Sequence, residues 1–185
     1  KIGIKTNMFF KRNSIDPSIL LHKLIDEGSE AEAIEMIKEN GKNVNVNYEF
    51  NNLVPIFKTI NRQMYGLFEL IVNTEGFDCS TSDECGESLL QSLMYTFRTA
   101  SSNDQKAQLT RLIEIILNSS NFDFNVQNIN LDTALSVAAE SPELCWVVEK
   151  LIADPNVNVN VINDVMRGAL GNAIVNNNIE AIKLL

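Results

Sequence analysis

"DTALSVAAE", residues 132–140, has the build of an amphipathic helix opening on polar starters, with Asp132 and Thr133 in front and Leu135, Val137, Ala138 and Ala139 behind. A similar opening returns along the chain. A short polar or small residue with Leu or Ile two or three positions on occurs at Leu21, Ile56, Leu90, Leu135 and Leu170, at spacings of 35, 34, 45 and 35. A second marker, a turn carrying Asn or Asp beside an apolar residue, follows each of the first four openings: "NVN" at 43–45, "DCS" at 78–80, "DFN" at 123–125 and "NVN" at 156–158, spaced 35, 45 and 33. Two independent markers that share one register, including the same long third interval, define an internal repeat. Periods of this size belong to stacked supersecondary units.

Between the markers every unit holds two apolar-periodic stretches. The first is short ("LLHKLID", "PIFKTIN", "LLQSLMY", "ALSVAAE", "ALGNAIV") and the second longer ("EAIEMIKE", "GLFELIVN", "LTRLIEIILN", "CWVVEKLIA", "EAIKLL"). Both have the i, i+3, i+4 spacing of helices, not the alternation of strands. The unit is therefore helix, turn, helix, loop. Asp16–Pro17 and Ser141–Pro142 place an N-cap side chain before a proline at the first helical position. Gly41 and Gly76 follow helical segments where a left-handed C-cap is expected. One such unit cannot bury its apolar face alone, so a continuous core through the stack is expected.

These residues resemble ankyrin repeats, helix pairs of about 33 residues joined by projecting β-turn fingers. "GALGNAIVNNNIEAIKLL" follows the family spacing without a gap, and "DTALSVAA" sets Thr133 and Ala134 in the Thr and Pro positions of "TPLHxAA". "VPIF" at 54–57 keeps the Pro, and "LLH" at 20–22 keeps the His. The resemblance implies an all-α, ankyrin-type solenoid of stacked helix-turn-helix repeats with short finger loops. It covers residues 16–185 as one array with units near 16–47, 48–80, 81–125, 126–160 and 161–185, the last unit either complete or truncated. Pro17 offers a second alignment of the first unit, shifted by four residues. The third unit has about 11 extra residues around "TFRTASSNDQK" (96–106), which either lengthen the helix pair or form a loop for a second contact, and the fourth has one or two extra around "SPELCW". Residues 1–15 fit no unit; Met8, Phe9 and Phe10 either cap the first unit or end an earlier repeat.

Composition narrows the function. A net charge of −9 opposes nucleic-acid binding, which needs clustered Lys and Arg. Most of the charges are read as a solvated surface. Cys79, Cys85 and Cys145 are an odd number without a disulfide framework, so buried or half-buried free thiols in an intracellular, cytoplasmic setting are expected. No apolar run reaches the roughly 20 residues of a membrane span. The start at Lys1 and the stop within "IEAIKLL" suggest a fragment of a longer chain.

Chemistry finds little support. His22 is the only histidine and is expected to be structural. Cys79 and Cys85 lack the partners of a zinc site, and Glu30 with Glu32 or Asp83 with Glu84 have no matching carboxylate. "DECGES" lacks the second Gly and the Lys of a phosphate loop, and "NSS" at 118–120 is expected to close a helix. The Asn-rich runs at 43–47, 156–161 and 176–178 suit turns whose side chains bond their own backbone. No metal, cofactor or catalytic residue is expected.

In the ankyrin family the free surfaces are the finger tips and the exposed sides of the first helices, and they bind proteins. The resemblance puts Tyr48, Phe50, Asn52, Asp83, Glu84, Asn128, Ile129, Asn163, Asp164 and Met166 at the tips. Lys58, Arg62, Ser92 and Asn172 fall on the first helices facing the same groove. Tyr48, Phe50, Ile129 and Met166 either anchor a partner or fold inward between fingers. Asp83, Glu84 and Asp164 favour a partner protein with a basic patch. Two alternatives are a recruiting domain of a larger enzyme whose chemistry lies elsewhere, and a helical enzyme, which would need one deep pocket with perturbed carboxylates.

Overall fold

Ten α-helices in five consecutive pairs make up the regular structure of residues 15–185, the part described by a computed structural model. The pairs are α1 (Pro17–Asp26) with α2 (Glu30–Asn40), α3 (Pro55–Asn61) with α4 (Tyr65–Val72), α5 (Leu89–Thr99) with α6 (Asn103–Leu117), α7 (Ala134–Ala139) with α8 (Cys145–Ile152), and α9 (Ala169–Val175) with α10 (Ile179–Leu184). Among the described residues the protein is all-α, with only two isolated bridges, Phe50 with Leu53 and Ser82 with Ser88. Met8, Phe9 and Phe10 lie outside them.

Local chemistry sets the helix ends. Asp16 caps α1 by accepting the Ser18 N–H, with Pro17 at the first position, as its sequence predicts. Ser88 with Gln91 and Thr133 with Ser136 form capping boxes on α5 and α7. Three of the turns inside pairs share one solution. Gly28, Gln63 and Asn177 all take positive φ (78°, 58° and 53°). Each donates its N–H to a carbonyl three residues back, to Ile25, Ile60 and Ile174. The next residues, Ser29, Met64 and Asn178, donate five back to Leu24, Thr59 and Ala173, completing Schellman caps.

Three expectations about ends change. Gly41 is the C-cap of α2, but its ψ of −124° takes it out of the left-handed helical well. Gly76 lies beyond the α4 cap, inside the Thr74–Phe77 turn. Pro142 opens a single 3-10 turn, Pro142–Leu144, that absorbs the extra residues of the fourth unit, and α8 begins only at Cys145.

Leu21 and Pro17 are reconciled by length. Counted from the shared turn, Leu21 matches Ile56, while Pro17 starts a helix of ten residues instead of seven. The first helix has one more turn at its N-terminal end. The insert of the third unit likewise becomes helix: α5 has 11 residues and α6 has 15. Its added length is tied to the following pair by Arg98–Glu140 and Lys106–Glu143 ion pairs, both 2.6 Å.

The chain divides into two compact units, the first ending at Asp78 and the second running from Cys79 to Leu185. In the first, α1 packs beside α3 and α2 beside α4 over Leu21, Ile25, Ile56, Ile60, Leu67 and Phe68. In the second, α5, α7 and α9 lie side by side, and α8 packs beside α10; Leu90, Met94, Ile113, Leu135, Val148 and Ala173 are buried there. This is the i, i+4 face of the short helices: Leu21 with Ile25, Ile56 with Ile60, Leu90 with Met94 and Leu135 with Ala139 are all buried. In α9 the equivalent Leu170 and Ile174 stay 45% and 58% exposed.

Candidate interaction surface

The loops of the second unit repeat one turn three times. In each, an Asx side chain accepts the backbone N–H groups two and four residues on. Asp83 takes Cys85 and Glu87, Asn128 takes Asn130 and Asp132, and Asn163 takes Val165 and Arg167. The Asx backbone N–H bonds the carbonyl four on, and its carbonyl accepts the N–H three on, from Gly86, Leu131 and Met166. Those three residues have φ of 70°, 60° and 62°. The N–H of Ile129 donates to Cys85 O, and that of Asp164 to Asn130 O, so successive loops are joined by one main-chain bond each. Asn125 adds a second link, its amide holding both Asn156 O and Asn158 N. Within the first unit Asn47 does the same with Gly76 O and Asp78 N.

The first unit's own tip is tighter. Asn51 and Asn52 both take positive φ, 56° and 59°, between Phe50 and Leu53, whose backbones are bonded. Beneath the tip His22 is buried and donates from Nε2 to Tyr48 O at 2.7 Å, leaving Nδ1 bare. Burial holds His22 below its ordinary pKa, so the ring is neutral at neutral pH.

Carboxylates lie near Tyr95, Glu87 and Cys85 in the second unit. Burial, then Glu140, Glu87 and Asp132, push the Tyr95 hydroxyl up to about 12. Burial and then Asp83 raise Glu87. Asp83 is the largest influence raising the Cys85 thiol, followed by burial and by Glu87 and Glu84. A concavity of about 400 Å³ also opens in this unit, among residues 119–125 and 154–157; its Asp123 and Asp154 each accept the backbone N–H two residues on. No group of three or more His, Cys, Asp or Glu among the described residues could hold a metal ion, and no helix among them is long and apolar enough to cross a membrane.

No family model matches the chain, and no curated protein does either.

The residues singled out from the sequence part into three groups. Glu84, Ile129, Asp164 and Met166 stand at the tips with exposed side chains, Ile129 at 68% and Met166 at 77%. Asn128, Asn163, Asn172 and Ser92 are buried and bonded within the chain. Asn163 reaches Asp132, Asn172 reaches Ser136 O and Glu140, and Ser92 reaches Glu87, while Asn128 and Asp83 hold their turns. Asn52 serves a turn conformation in the same way. Tyr48 and Phe50 do both: they lean on the His22 ring, with centroids at 6.1 Å and 5.6 Å, yet keep 36% and 38% of their surface exposed. Lys58 is tied to Asp26 at 3.0 Å and lies 5.9 Å over the Phe50 ring. Arg62 is the exposed C-cap of α3, at the turn of the pair instead of along the helix.

Sequence reasoning missed Leu131, Glu87, Tyr95 and Glu140. Leu131 was legible by register, since it precedes the N-cap Thr133 by two residues as Gly86 precedes Ser88. Cys85 is exposed, not half-buried as expected, because it sits within the Asp83 turn at a tip; Cys79 is intermediate and Cys145 buried.

Proposed function

We propose that the chain is an ankyrin-type interaction module, a stack of helix pairs that carries no chemistry and binds another protein by its finger tips and the adjoining faces of its first helices. The single observation that supports this reading is the threefold Asx turn, in which each turn is bonded to the next and holds its side chains outward at fixed spacing. A rigid row of this kind loses little entropy on docking, because its backbone is ordered before the partner arrives. The exposed carboxylates Glu84 and Asp164 at the tips favour a partner with a basic patch. Three cysteines outside any disulfide fit a reducing, cytoplasmic setting.

The test is capture of partners by the full chain from a native extract at low and at moderate salt, repeated with Glu84→Lys and Asp164→Lys together. Both side chains are exposed, so the double substitution leaves the fold intact. A partner that the wild type holds saturably and the double variant loses supports the module. Capture that is indifferent to both substitutions at every salt concentration overturns it.

A further inference from the structure

Leu131 and Met166 are in an unfavourable place twice over. Both occupy the left-handed region, at φ 60° and 62°, where a side chain clashes with its own backbone and glycine is the natural occupant. Gly86 fills the same position of the preceding turn at φ 70°. Both also hold apolar surface in water, Leu131 at 46% and Met166 at 77% exposure. Folding alone favours glycine at both positions. An outlier of this kind points to a demand other than stability.

Resting on the proposed interaction module, we infer that Leu131 and Met166 are paired anchors for one basic amphipathic α-helix of the partner, laid along the row of tips. Spacing selects the helix. The two side chains sit at matching points of successive turns, and the packed helices beneath repeat at about 8–10 Å. A partner helix offers residues seven apart on one face at a separation of about 10.5 Å. An extended segment spans a comparable distance in three residues, but those side chains point to opposite faces. It cannot set both anchors at once.

Charge selects the flanks of that helix. The three tips, residues 83–87, 128–132 and 163–167, carry Asp83, Glu84, Glu87, Asp132 and Asp164 against the single Arg167. Glu84 and Asp164 occupy the same position as Ile129 in the turns before and after it, so exposed carboxylates accompany the exposed apolar Ile129, Leu131 and Met166 along the tips. A helix with Lys or Arg beside its apolar stripe matches that arrangement.

The probe is a fluorescein-labelled Ala- and Lys-based helical peptide of about 20 residues with two Leu seven apart. Its control has the same composition with the two Leu nine apart, on opposite faces. Anisotropy titration against the full chain reads the affinities. Tighter binding of the first peptide by about tenfold or more is expected, with Leu131→Gly and Met166→Gly each weakening it by about five- to tenfold. Neither variant should lower Tm, because glycine relieves the left-handed strain. Equal, salt-sensitive binding of both peptides that ignores the glycine variants overturns the paired anchors and leaves the acidic module standing. Loss of Tm in either variant assigns that side chain to the fold and overturns its role as an anchor. Failure of both peptides to bind overturns the anchors too, while the capture experiment judges the module separately.

Discussion

Cys85 lies exposed at a tip where Asp83, Glu84 and Glu87 all raise its thiol pKa. The thiolate is the reactive form, so Cys85 should alkylate slowly for an exposed cysteine. Asp83→Asn keeps the turn, since Asn128 and Asn163 make the same two bonds, and removes the nearest charge. Iodoacetamide labelling of Cys85 near pH 8, followed by peptide mass spectrometry, should be several-fold faster in that variant. Unchanged pH–rate profiles would show that the carboxylates do not govern the thiol. His22 gives a second pH effect. Its folded pKa lies below the ordinary value, so as pH falls below about 6.5 the unfolded chain takes up the proton first and the first unit loses stability. Lys58 lowers and Asp26 raises the same group, both weaker than burial. Gln91 reaches a loop carbonyl as His22 does, at Asp132 O, 2.7 Å. His22→Gln should therefore keep the contact and flatten the decline in Tm between pH 7 and about pH 5.5 relative to wild type. A variant that declines as steeply would exonerate the histidine.

Helix ends divide into those that neighbouring residues set and those that a distant residue sets. Thr133 caps α7 from the adjacent position, and Thr133→Ala should cost about 1 kcal/mol in urea unfolding. Met64 makes no side-chain cap for α4; Glu30, from the preceding pair, accepts the Leu67 N–H at 2.9 Å instead. As a sequence feature Glu30 suits its own helix start, and only packing brings it to the next helix. Gly66 leaves room for it, since a Cβ there would stand 3.2 Å from the carboxylate. Equal register positions also differ in worth. Leu135 is buried between neighbouring helices, so Leu135→Ala should lose about 2–5 kcal/mol. Leu170→Ala, at a face open to solvent, should lose about 1 kcal/mol or less. Equal losses would mean that the α9 face is covered in solution.

At the scale of the whole chain, the net charge of −9 governs encounter more than affinity. The Lys-based probe should associate more slowly by about tenfold or more as ionic strength rises from about 10 mM to about 150 mM, because the Debye length falls from about 30 Å to about 8 Å. Stopped-flow anisotropy reads this directly. A rate that ignores salt would mean that the charge is too dispersed to steer.

The repeat, the ten helices and the turn chemistry were legible because each rests on local rules: 3.6-residue periodicity, capping residues, and Asx side chains bonding backbone two residues on. The phase of the Asn-rich runs was not. "NVNVN" and "NVNVNV" match themselves when shifted by two, and Asn45, Asp123 and Asn158, each bonding the N–H two residues on, occupy equivalent places, so the marker at 43–45 moves to 45–47 and that at 156–158 moves to 158–160. Nor could register tell an exposed Met166 from a buried Asn163 three residues before it, or send Glu30 to another helix. Sequence alone determined the period and the elements, since these depend on neighbours along the chain. Tertiary structure decided which polar side chains are enclosed and which apolar ones face water, since that depends on what the adjacent pair covers.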